Sequence, residues 1–213
     1  MKKTLLAALI LVLFAAGSVS ASVLDFGIKG GVNIANIHGE DSGDEGDWKT
    51  GFAGGIFLDW GITPLFGIQP ELLYIQDGSK AYFLEGDWYL KFNYLQVPVL
   101  AMVDLPVGGP LIPVLYAGPY VSLLIDSKMT VVADGSSMTV GLKDYTMSYD
   151  TGFVFGAALD FSLGPGKMTI EGRYNLGMKE IDDGIAAGIF DIPDVEKTDM
   201  KNESWMIMVG YAF

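Results

Sequence analysis

The sequence predicts an all-β protein, an eight-stranded antiparallel transmembrane up-and-down β-barrel with short periplasmic turns and long extracellular loops. Apolar residues recur with period two in eight separate segments, the signature of strands with one apolar and one non-apolar face. The connectors between those segments alternate short and long. The chain of 213 residues is 50% hydrophobic with a mean hydropathy of +0.36. Yet beyond the N-terminus it lacks the about 20 unbroken apolar residues that a spanning helix needs; the greasiest stretch, 95–125, is interrupted by Pro98, Asp104, Pro106, Gly108, Pro110 and Pro119.

Residues 1–21 read as an export signal. Lys2 and Lys3 form a basic start, Leu5 to Ala16 an apolar run too short to anchor, and Val19-Ser20-Ala21 a small-residue cleavage site. Residues 22–213 then form a single outer-membrane β-barrel domain. Cleavage removes two lysines and no acid, taking the formal net charge from −13 to −15. Nucleic acid, itself a polyanion, is excluded as a partner by that charge. With no Cys there is neither a disulfide framework nor a thiolate metal site.

The strands follow in order. Phe26, Ile28, Val32 and Ile34 oppose Gly27, Lys29, Gly31 and Asn33 in the first, and Phe52, Ile56, Leu58 and Trp60 oppose Gly51, Ala53, Gly55 and Asp59 in the second. Phe66, Ile68, Leu72 and Tyr74 oppose Gly67, Gln69 and Glu71 in the third; Leu95, Val97, Val99 and Val103 oppose Tyr94, Gln96 and Pro98 in the fourth. In the fifth, Leu115, Ala117, Val121 and Leu123 oppose Tyr116, Gly118, Tyr120 and Ser122. The sixth sets Phe153, Phe155, Leu159 and Phe161 against Asp150, Gly152, Gly156 and Asp160. Met168, Ile170, Tyr174 and Leu176 face away from Thr169, Glu171, Arg173 and Asn175 in the seventh, and the eighth carries Trp205, Ile207, Val209, Tyr211 and Phe213 on one parity.

The connectors 61–65, 104–110 and 162–167 are short and contain Gly or Pro, whereas 37–49, 76–90, 126–149 and 178–202 are long and mostly polar. Within the third long one, 128–133 and 138–142 flank Asp134-Gly135-Ser136-Ser137 as a projecting hairpin whose edges invite strand addition. Pro70, Pro98, Pro113 and Pro119 each delete a ladder donor, so bulges or widened pairings are expected there. A sheet can cross hydrocarbon only without an edge, hence a closed barrel in the bacterial outer membrane with lipid around it. A soluble lipocalin-like barrel would instead turn its apolar parity inward and leave Lys29, Glu71 and Arg173 outside.

The run 26–33 (FGIKGGVN), Gln69-Pro70-Glu71-Leu72-Leu73-Tyr74, Asn93-Tyr94-Leu95-Gln96-Val97-Pro98, Ala117-Gly118-Pro119-Tyr120 and the ending Val209-Gly210-Tyr211-Ala212-Phe213 together resemble the PorT-like outer-membrane β-barrel family. The resemblance implies localisation and an eight-stranded fold more strongly than an activity. Gln96 stands where many members carry Glu.

Lys29, Glu71, Gln96, Asp160, Glu171 and Arg173 share the inner parity and form a candidate interior polar network, because charges survive away from water when paired. The same enclosed charges allow two other readings, a narrow channel for small solutes or a catalytic carboxylate pair. His38, the one histidine, lies beyond the first strand beside Glu40, Asp41 and Ser42, where a rim lipid or peptide hydrolase would place it; a solvated loop histidine is the plainer reading. Glu40, Asp41, Asp44, Glu45 and Asp47 are oxygen donors that would suit a loop-bound Ca²⁺, although their spacing is not that of an EF-hand; no other cofactor is expected. Tyr74, Tyr89, Tyr94, Tyr149 and Trp205 near one end of the strands, and Trp60, Phe66, Phe161, Tyr211 and Phe213 near the other, fit two aromatic girdles. The C-terminal row Trp205, Ile207, Val209, Tyr211 and Phe213 also resembles the signal that the barrel-assembly machinery reads. The expected function is therefore not enzymatic. It is a structural or surface-interaction role, with a surface protein or ligand met by acidic extracellular loops.

Overall fold

The computed structural model describes residues 24–39, 47–83, 86–133, 136–141, 148–179 and 200–213. The proposed signal, most of the acidic stretch after the first strand and the segment before the last strand lie outside them. Nine strands are present: β1 (Leu24–Gly39), β2 (Asp47–Gly61), β3 (Phe66–Phe83), β4 (Gly86–Asp104), β5 (Leu111–Ala133), β6 (Ser136–Gly141), β7 (Tyr149–Leu163), β8 (Gly166–Gly177) and β9 (Met200–Ala212). Every pairing is antiparallel. β4 pairs with β5, and β1 pairs with β9, so β1 to β5 and β7 to β9 close into an eight-stranded barrel. Among the described residues β6 pairs only with the outer end of β5, and this is the hairpin read at 128–142.

Parity behaves as hydrocarbon demands. Phe26, Ile28, Val32, Phe153, Phe155, Ile207 and Val209 are exposed on the outside, while Lys29, Asn33, Glu71, Glu171 and Arg173 are buried within. The lumen is filled: Ala53, Leu73, Ile75, Met206 and Met208 pack as one cluster, and Leu100, Met102, Val114, Tyr116, Tyr120, Val154 and Ala158 as another. Three inner aromatics lie over the glycine directly across the ladder, Phe57 on Gly27, Tyr116 on Gly156 and Tyr120 on Gly152. Such glycines leave room for a ring to lie flat. At Gly31 and Gly55 the constraint is the backbone, since an added Cβ would stand 2.0 Å from the carbonyl oxygen of Ile207 or Leu72.

Three features correct or sharpen the sequence reading, the second by showing widened pairing, one of the two expectations, at Pro70 and Pro119. The connector 76–90 is not a loop. β3 runs to Phe83 and β4 starts at Gly86, paired throughout, and β5 extends to Ala133, so β3 to β6 rise beyond the barrel as a four-stranded sheet. Beyond the hydrocarbon the outward face needs no apolar residues, so a polar sequence there does not mark the end of pairing. Secondly, no bulge falls at a proline. The ladder opens across Pro70 between Phe57–Glu71 and Trp60–Ile68, and across Pro119 between Pro98–Tyr120 and Ala101–Ala117, with register kept in both. The register shifts lie elsewhere, between Trp48 and Ala53 and at Asn93/Tyr94. Losing one donor evidently needs only a local widening. Thirdly, Tyr94 is not a girdle residue: it is buried in the lumen against Phe92 and Leu124, its phenol bonded by Asn202 at 3.3 Å. A phenol with a buried donor needs no interface.

The short ends are closed by 62–65, 105–110 and 164–165. In the first, the Thr63 hydroxyl accepts from the Leu65 and Phe66 amides; the last uses Gly164 at φ 63°, a left-handed conformation suited to glycine.

Candidate functional site

The chemistry lies at mid-height in the lumen. β3 and β8 stand diametrically opposite in the ring, four steps apart either way, and β1 lies between them on one side. Inward parity places Glu71 on β3, Glu171 and Arg173 on β8, and Lys29 on β1. Arg173 crosses the lumen: Nη1 donates to Glu71 Oε2 at 2.7 Å, and Nη2 donates to Glu71 Oε1 at 3.0 Å and Glu171 Oε1 at 2.7 Å. Lys29 Nζ donates to Glu71 Oε1 at 2.9 Å and to both Glu171 oxygens at 3.0 and 3.1 Å. Gln69 adds an amide bond to Glu71 at 2.6 Å and Tyr116 its phenol to Glu171 at 3.2 Å. Two cations offset two carboxylates, so the cluster is neutral. All four side chains are at most 2% exposed. Chemically this arrangement holds charge in place. Each carboxylate is saturated by donors, which leaves it unsuited to take a proton or attack a substrate.

Gln96 and Asp160 stand apart from that cluster. Gln96 Nε2 donates to Ser122 Oγ at 3.1 Å, one layer nearer the outer mouth, and its carbonyl accepts from Asn175 at 3.4 Å. Asp160 sits near the short-turn end, accepting from Thr169 at 2.7 Å and pairing at 2.9 Å with Lys167, which also holds Asp59.

Towards the outer mouth lies a polar layer that sequence reasoning did not assemble. Asn33 donates to Asp77 at 2.6 Å, Tyr120 to Asp150 at 3.2 Å, and Asn202 to Asp150 at 3.1 Å. The inner parity of Asn33, Tyr120 and Asp150 carries the signal for it, and Gln69 and Tyr116 of the ion cluster carry the same one.

His38 pairs by register with Lys201 on β9, but its side chain lies outside the described residues. So do Glu40, Asp41, Asp44 and Glu45, and the side chain of Asp47, which opens β2. Among the described residues no group of three or more His, Cys, Asp or Glu is arranged for a metal ion. Trp205, Ile207, Val209, Tyr211 and Phe213 form an outward row. Phe213 stacks on Phe26 at 6.5 Å and donates its amide to the Phe26 carbonyl at 2.8 Å. An outward recess of about 380 Å³ lies along the same seam, lined by Ile28, Gly30, Met168, Val209 and Tyr211.

Residues 17–183 match the family model described as outer membrane protein beta-barrel domain. Among solved structures the chain is similar to Neisserial surface protein A, at 15% identity over 88% of this chain and 97% of that one, with a TM-score of 0.46. It is also similar to the attachment invasion locus protein Ail of Yersinia pestis (15%, 89% and 98%, TM-score 0.43) and to OprG from Pseudomonas aeruginosa (14%, 89% and 95%, TM-score 0.49). No curated protein matches it in sequence.

Proposed function

The chain belongs to the outer membrane protein β-barrel domain family and resides in the bacterial outer membrane, and from that premise we propose that it is a non-conducting, non-enzymatic surface-interaction protein. Within the family we assign it to the PorT-like members on its motif run, with residues 1–21 as the export signal. The observation that carries the reading is a pairing of opposites. The lumen is blocked at mid-height by a neutral, fully buried ion cluster, while β3 to β6 continue outward as a sheet. A barrel used for transport would keep its axis wet. This one spends its extra strand length above the membrane: β5 has 23 residues, and about 10 tilted residues suffice to cross.

The element that meets the partner is the edge of β6 that has no strand beside it among the described residues. Its sequence, Ser136-Ser137-Met138-Thr139-Val140-Gly141, has no charge and no proline, the usual guards of an exposed edge, so it accepts an extended strand of a surface protein. To the acidic residues of 40–47 and 180–199 we assign charge selectivity for that partner.

Two measurements test this. In planar bilayers the purified protein should give no steady single-channel steps; steady currents would refute the block. In intact cells, a photocrosslinker at Thr139 should capture a protein partner, and Met138→Lys, a charged guard on an exposed edge residue, should abolish capture while leaving folding intact. Equal capture with the guard in place would refute the edge as the docking element.

A further inference from the structure

On the outward face the strand registers define rows around the barrel. Tyr74, Leu95, Leu123 and Tyr149 form one row, apolar and aromatic, which marks the outer edge of the hydrocarbon. Four residues further along β3 and β4, and five along β5 because of the register shift at Asn93/Tyr94, about 10 Å higher at the tilt of such barrels, lies the row Gly78, Lys91, Lys128, Gly141. Two lysines therefore face each other directly across the β4–β5 ladder, with a glycine on either flank. Like charges opposed at that spacing destabilise a sheet unless an anion offsets them. The setting makes the pair more pointed, because the chain carries twice as many acids as Lys and Arg, 26 against 13.

The neighbourhood is a shelf rather than a solvated bristle. Gly141 leaves open space beside Lys128, nothing standing within 4 Å of a Cβ built on it, whereas Gly78, at φ 150°, is buried and the Lys49 ammonium lies 2.9 Å from where its Cβ would be. The row below contributes Gln76, Asn93 and Asp126, and Asp126 holds Lys128 at 2.8 Å. The row above contributes Lys80, Tyr89, Thr130 and Thr139 by register. Lys91, Lys128 and Asp126 together carry one net positive charge, to which Lys80 in the row above adds another. The polar headgroup zone extends about 5–8 Å beyond the hydrocarbon on each side, so the backbone of this row stands about 2–5 Å above it and the flexible lysine stems reach down into it.

We propose that Lys91 and Lys128 form a docking site for the phosphate of an outer-leaflet lipid headgroup. Each ammonium donates to a phosphate oxygen, the open space at Gly141 admits the sugar or glycerol that bears it, and the acyl chains descend past Leu95 and Leu123. The site is separate from the β6 edge and does not depend on the partner reading.

The full chain, folded in phosphatidylcholine nanodiscs, is titrated with bis-phosphorylated lipid A and with its dephosphorylated counterpart, and bound lipid is counted by native mass spectrometry. The wild type should prefer the phosphorylated lipid by about tenfold, and the preference should shrink as ionic strength rises from about 0.05 to 0.5 M. Lys91→Gln with Lys128→Gln should erase the preference. Lys201→Gln, which removes one lysine charge from an exposed site on β9, should keep it. Retention of the preference in the double variant, its equal loss in Lys201→Gln, or a wild type indifferent to phosphate or salt would overturn the proposal. Displacement of the lipid by millimolar inorganic phosphate would overturn the lipid as the source. Should the double variant fail to show the compact unboiled gel band, the wild-type dephosphorylation and salt arms decide alone.

Discussion

Replacing Arg173 by Met tests the central cluster most directly. The substitution keeps most of the side-chain volume but deletes three charge-assisted hydrogen bonds, two to Glu71 and one to Glu171. The four-charge cluster goes from neutral to one net negative charge. Glu71 retains Lys29 and Gln69, and Glu171 retains Lys29 and Tyr116, so both carboxylates stay partly solvated by the protein. Stripping one partner from a buried ion pair costs about 3–5 kcal/mol, and that range applies here because the guanidinium is fully enclosed. With a urea slope of about 2 kcal/mol/M the midpoint should fall by roughly 2 M. Heat-modifiable gel mobility, read along a urea series, reports the change. The second variant, Arg173→Met with Glu71→Gln, restores neutrality with Lys29 and Glu171 left to pair, and should recover more than half of the loss. A single-variant cost below about 1 kcal/mol, or a double variant at the sum of the singles, would refute the account of coupled charges.

Two further substitutions probe packing and assembly. Gly156→Ala drives a methyl to within 2.3–2.5 Å of the Tyr116 ring and loosens the phenol from Glu171, for about 1–3 kcal/mol. Gly172→Ala, facing outward with nothing within 4 Å, should be neutral or stabilise by about 0.5 kcal/mol, so equal losses at the two sites would refute the distinction. Deleting Phe213 removes its stacking on Phe26 and Tyr211 at an exposed seam; membrane insertion in cells should fall several-fold while the urea midpoint of refolded protein moves little, and the reverse ranking would sink the assembly reading.

The eight spans are legible in the sequence because lipid on one side and a packed lumen on the other impose strict alternation along β1 to β5 and β7 to β9. The same physics explains what is hidden. Above the membrane the outward face of β3 meets water instead of lipid while Asp77 stays buried on the inner one, so alternation loses its apolar half and a paired strand reads as a loop. Tyr94 carries an aromatic body and a polar tip, a combination that suits an interface and a buried hydrogen bond equally; only its register, placing it next to Asn202, separates them. Parity assigns Lys29, Glu71, Gln96, Asp160, Glu171 and Arg173 to the inside but says nothing of height. Which of them touch depends on the stagger between strands. That stagger puts Arg173 level with Glu71 across the lumen and leaves Asp160 with Lys167 at the far end.

Height is also where the charges earn a structural role. A slip of one residue between strands would turn an apolar face inward and is forbidden by lipid, but a slip of two preserves parity and exposes nothing new. Alternation therefore fixes each pairing only to within two residues. The ion cluster removes that freedom, because moving β1 by two residues against β2 and β9 would carry Lys29 about 7 Å from Glu71 and Glu171 and strand both carboxylates. On this argument a quadruple variant, Lys29→Met, Glu71→Leu, Glu171→Leu and Arg173→Met, should match or exceed the wild type in urea midpoint, since buried ion pairs are commonly replaced by apolar groups without loss. It should nevertheless refold into more than one compact gel species, each a different register. A single species formed at the wild-type rate and yield would show that packing alone sets the stagger.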